Sequence, residues 1–97
     1  MARFANWWYY IVLQLIKECA RGRYDSPQLK NIEKAMEKAV KKTVNYDNME
    51  YRRKAIYMIF YKHYSVSKVA YELNFSERTV QRWKNDFVNE VGKLAGF

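Results

Sequence analysis

The sequence predicts an all-α fold, a bundle of five helices, and three observations predict it. Among the 97 residues there are three glycines and one proline, too few for the turns of a β fold. Apolar residues recur at three-and-four spacing in successive stretches, which is the period of one face of a helix. Ser26, Ser65 and Ser76 each stand just before such a stretch, where a hydroxyl satisfies the N–H groups that open a helix. The helices are predicted at 4–21, 27–44, 48–63, 66–73 and 77–93. The length suits a single domain, 1–97, with one core. Within it, 1–46 read as an N-terminal helical pair for packing or oligomerisation.

The first helix carries Trp7, Trp8, Tyr10, Ile11, Leu13, Leu15 and Ile16 close together and stops near Gly22. A helix apolar nearly all round must be covered by the rest of the fold or by another subunit, and core is the expectation here. Ser26-Pro27 opens the second helix, because proline fits the first helical position without needing an N–H partner. Leu29, Ile32, Met36, Ala39, Val40 and Val44 make its inner stripe. Lys30, Glu33, Lys34, Glu37, Lys38 and Lys41 fill a solvated outer face, where pairs four residues apart are available.

Asp47 followed by Glu50 resembles a capping box and starts the third helix. Ile56, Ile59 and Phe60 form its apolar stripe. Tyr57, Tyr61 and Tyr64 form a neighbouring one, expected to pack against the aromatic first helix rather than to stack on bases. Arg52, Arg53 and Lys54 read either as phosphate contacts or as ordinary surface.

Residues 65–92 hold two capped helices separated by only a few residues. Val66, Val69, Ala70 and Leu73 face inward on the first, with Ala70 small enough for a close crossing. Asn74 takes the turn position that favours a left-handed residue, and Phe75 fills the corner. After Ser76, the residues Val80, Trp83, Phe87 and Val91 are spaced three, four and four apart, as a buried stripe requires. This is the pattern of a helix-turn-helix, placed in the 47–97 part of the chain.

Turning the last helix by about 100° per residue puts Arg78, Gln81, Arg82, Asn85 and Asn89 opposite that stripe, on a polar face read as free of carboxylates. Arginine can donate two bonds to guanine O6 and N7, and glutamine or asparagine can pair with adenine N6 and N7. Ser76 and Thr79, with the helix N-terminus, could hold a phosphate. Lys68 and Lys84 at most add phosphate contacts. Glu77 suits the helix dipole better than a cytosine. The candidate partner is therefore double-stranded DNA.

The charge agrees with a polyanionic partner. Lysine and arginine number 18 against 10 acidic residues. The excess is spread as +2 over 1–22, +3 over 23–46 and +3 over 47–97, so no basic tail explains it. One cysteine, Cys19, and one histidine, His63, exclude an internal disulfide and leave no metal cluster. No cofactor is expected. No Gly-rich phosphate loop or paired acids in a pocket-forming context point to catalysis, so an enzyme is not expected. Trp7 to Ile16 is about half the length needed to cross a bilayer and is interrupted by Gln14. A soluble, cytoplasmic protein without a membrane partner is expected.

From Arg53 to Phe97, with YSVSKVAYELNFSERTVQRWKNDFVNEVGKLAGF as the carrying residues, the chain resembles the C-terminal part of phage late-gene transcriptional regulators of the ArpU and RinA type. These are themselves similar to sigma-factor region 4. The matching features are the Val69-Ala70 pair, the Ser76 to Thr79 start of the recognition helix, the Arg82, Lys84, Phe87 run and the Leu94-Ala95-Gly96-Phe97 ending. The resemblance implies a phage or prophage activator that binds promoter DNA in the bacterial host and contacts RNA polymerase. Two alternatives use the same residues differently. One is the DNA-recognition small subunit of a phage packaging terminase, a homo-oligomer built through the other helices. The other is a protein-interaction module that docks its aromatic first helix and never touches DNA.

Overall fold

The computed structural model describes residues 7–23, 25–42 and 48–97. Among them are five helices and no strand: α1 Tyr9–Ala20, α2 Pro27–Lys42, α3 Met49–Phe60, α4 Val66–Leu73 and α5 Glu77–Leu94. Each of the other four helices packs against α5. One buried cluster draws residues from all five, including Ile16, Ile32, Phe60, Val69 and Val88.

Local chemistry sets most boundaries. Ser26 Oγ accepts the Leu29 N–H at 3.2 Å, and Pro27 opens α2 as its sequence position predicts. The cap expected from Asp47 lies outside the described residues, as do residues 4–6 and 43–44. α3 follows Asn48, which is left-handed at φ 59°. It ends at Phe60 rather than 63, because the chain turns back through a left-handed His63 at φ 58° before Ser65 caps the next helix.

Two expectations about aromatic residues change. α1 buries one face only, with Trp8, Val12, Leu13, Ile16 and Cys19, and leaves Trp7 79%, Tyr10 72% and Ile11 45% exposed. Tyr57 and Tyr61 do not bury themselves against α1 either. They stack on each other with ring centroids 5.5 Å apart at the surface of α3. The reason is shared: α1 and α3 each spend their inner face on the common core, and a helix has only one side to turn towards it.

The indole of Trp8, the residue before α1, lies directly against the backbone of α5 at Gly92 and leaves no room for a side chain there. A Cβ built there would fall under 3.0 Å from ring carbons of Trp8. Glycine thus admits the indole, and Trp8 is buried there. No helix is long and apolar enough to cross a membrane among the described residues.

Candidate nucleic-acid interface

The corner between α4 and α5 is built almost wholly from local bonds. Ser65 Oγ accepts the Lys68 N–H at 3.1 Å and starts α4. Asn74, at φ 61° and ψ 42°, ends it in the left-handed region, where asparagine is the best residue after glycine. The Phe75 N–H then reaches the Ala70 carbonyl at 3.0 Å and the Asn74 N–H reaches that of Tyr71 at 3.4 Å. This double closure satisfies carbonyls that would otherwise be left without donors. Ser76 Oγ accepts the Thr79 N–H at 3.1 Å and opens α5, with only Asn74, Phe75 and Ser76 itself between the two helices.

Phe75 holds the corner shut. Its ring lies 4.8 Å from Trp83 and 5.3 Å from Tyr51, edge to face in both cases. Val69, Ala70, Val80 and Trp83 are buried beneath it. The inward stripe expected of the last helix is therefore present, and Val88 and Gly92 join it on the side that meets α1.

The outward residues separate into two groups. Arg78 and Arg82 are exposed, as is Ser76 at the helix start. Thr79 is half-buried and its hydroxyl lies 2.9 Å from that of Ser76, so both serve the cap first. Glu77 accepts a bond from Ser67 Oγ at 2.9 Å and ties the start of α5 to α4, a use the dipole argument did not include. Lys68 is exposed on α4, its ammonium 4.1 Å above the Tyr64 ring.

Gln81, Asn85 and Asn89 share the helix face but not the exposure. All three are half-buried, and with Tyr9, Tyr10, Leu13 and Lys84 they line a cavity of about 240 Å³ between α1 and α5. Asn85 Oδ1 accepts from the Tyr9 hydroxyl at 2.5 Å and from Gln81 Nε2 at 2.9 Å. Burial, and then neighbouring Tyr10, push the Tyr9 phenol up to about 12, so it remains protonated. Burial, and then the charge of Lys17, lower the pKa of Lys84, which sits on the flank facing α1 rather than beside the arginines.

Two acid–base details depart from expectation. Arg52 does not project as a surface cation. Its guanidinium lies 5.8 Å over the Trp83 ring and 3.0 Å from Asp86, with only 12% of the side chain exposed. Asp86 also means that the face is not free of carboxylates: it stands one turn after Arg82, with Arg52 offsetting its charge. One turn further along α5, Glu90 pairs with Lys42 of α2 at 2.7 Å. Neither the Arg52 nor the Tyr9 contact has a sequence signal, since their partners are 34 and 76 residues away.

No curated protein and no solved structure matches the chain. Of the phage proteins that the sequence resembles or allows, a terminase rather than a late-gene regulator is what the family match fits. Residues 50–86, which run from the start of α3 through α4 to the middle of α5 and contain no glycine, are similar to a family described as "Putative ATPase subunit of terminase (gpP-like)".

Proposed function

We propose that this chain binds double-stranded DNA with α5 as its recognition helix, and that it is a DNA-recognition element of a phage packaging terminase. One observation carries the reading. Arg78 and Arg82 stand exposed at the open end of a capped second helix, within the segment that is similar to a terminase family. Each guanidinium can donate two parallel bonds to guanine O6 and N7 in a major groove, while α4 lies above the backbone and Lys68 meets phosphate. No catalytic step is assigned to the chain. The family description names an ATPase, but the matched residues carry no Gly-rich loop to cradle a nucleotide phosphate.

Binding to random-sequence duplexes, followed by sequencing of the bound fraction, supplies the preferred site. Arg78→Ala and Arg82→Ala should then each lose about 1 to 3 kcal/mol on that duplex and relax the choice of one base. Lys68→Ala should weaken all sequences alike and lower the salt slope by about one. If both arginine variants, melting like the parent, bind the preferred duplex as it does, α5 is not the reader. Bound genomic fragments clustered at a packaging start support the terminase; fragments upstream of a late operon support the promoter-binding regulator with an RNA polymerase partner. A ring-sized assembly in sedimentation would also favour the terminase.

A further inference from the structure

Asn85 Oδ1 takes two hydrogen bonds, one from Tyr9 of α1 and one from Gln81 a turn earlier on α5. A carboxamide oxygen has two lone pairs, so this one is fully used. Turning both amides around would leave the Asn85 NH₂ facing the Tyr9 oxygen at 2.5 Å, a length that suits O–H···O and is too short for N–H···O, so it is the Asn85 oxygen that faces Tyr9 and the NH₂ of Gln81 that faces that oxygen. The orientation of Gln81 is thereby determined as well. It gives one N–H to Asn85 and keeps a second N–H and Oε1, a donor beside an acceptor.

That remaining pair is what adenine requires, since its N7 accepts and its N6 amino group donates in the major groove. Asn85, with its oxygen spent, has only donors left and cannot make the same two-bond contact. We propose that Tyr9, from a helix outside the helix-turn-helix, sets the base preference of the recognition helix by locking Gln81 through Asn85 into the orientation that reads adenine. The inference rests on DNA binding by α5. Tyr9 is then a positioning residue, and Gln81 is the residue that touches the base.

The test measures discrimination rather than affinity. Starting from the preferred duplex, each base pair is exchanged in turn and binding is measured for the parent, Gln81→Ala, Tyr9→Phe and Asn85→Asp. Gln81→Ala should lose about tenfold or more of the discrimination at one A·T pair. Tyr9→Phe keeps the ring but removes the donor, and should lose discrimination at that same pair while sparing the pairs read by arginine. Asn85→Asp keeps an acceptor for both donors and should retain the preference, with affinity lowered by its charge. Replacing that adenine with 7-deazaadenine, which lacks the N7 acceptor, should weaken the parent and leave Gln81→Ala unchanged.

A Tyr9→Phe protein that melts like the parent and discriminates like it overturns the proposal. So does one that weakens all duplexes equally, which is what lost packing alone would do. If the arginine variants lose their base preferences while Tyr9→Phe loses none, only this inference fails. If the arginine variants also bind as the parent does, DNA reading by α5 fails with it.

Discussion

The two halves of α5 follow one apolar stripe but have opposite surroundings. From Ser76 to Trp83 the helix is anchored through Val80 and Trp83, and its outer side, with Arg78 and Arg82, faces solvent. From Asn85 onward Phe87, Val88, Val91 and Gly92 are buried where α2 and the Trp8 end of α1 pack against the helix. The second half holds the helix in the bundle, and the first is left exposed on the side proposed to meet DNA. Tyr9 sits at the boundary and reaches Asn85. The proposed recognition helix thus has an anchored end as well as an exposed one, and the anchor comes from the N-terminal helices α1 and α2.

The severest way to break this division is at Trp83, which is 4% exposed beneath Phe75 and Arg52. Trp83→Ala should cost about 3 to 5 kcal/mol in urea unfolding, enough to unfold a marginal domain. A variant that stayed fully stable and lost only DNA binding would mean that the buried face is wrongly assigned. Gly92→Val strikes the anchored half instead, driving methyl groups into the Trp8 ring. Overpacking of this kind should cost about 1 to 3 kcal/mol. The salt dependence of DNA binding should remain that of the parent, and a changed salt slope would show that the halves are not separable.

Ser76→Ala sharpens the comparison at the exposed end. It removes the acceptor for the Thr79 N–H and should lower stability by about 1 kcal/mol in thermal melts. An unchanged melting temperature would show that the cap holds nothing. The smallest effect is confined to alkaline solution. The Tyr9 phenol is raised from 10.0 to about 12 in the folded chain, so its contribution is fully present below pH 10, where both states are protonated. The unfolded phenol ionises first, and stability falls as pH rises from 10 towards 12. The urea midpoint of the parent should fall more steeply over that range than that of Tyr9→Phe. Parallel curves would remove Tyr9 from the boundary between the two halves.

The corner of the molecule was readable from the chain because its determinants lie within a few residues of one another. Ser65, Asn74 and Ser76 act on backbone groups up to four residues away, and the Val69, Ala70, Val80, Trp83 stripe follows from helical period alone. The exposure of Arg78 and Arg82 follows from the same period. Periodicity also placed Gln81 and Asn85 on that face, and there it stopped being sufficient. Whether a residue on the outer side of one helix is free depends on which other helix arrives, and at what distance.

By itself, then, the sequence determined five helices, their buried stripes and the capped turn between α4 and α5, since hydrogen-bond valence and helical period act within a turn or two. Only the tertiary structure decided that Arg52 turns inward to Asp86, that Trp8 closes on Gly92, that Tyr9 occupies Asn85, and that Trp7 and Tyr10 stay exposed. Those outcomes depend on side chains 34 to 84 positions apart being brought together by burial of a shared core, which has no direction along the chain and leaves no local pattern in it.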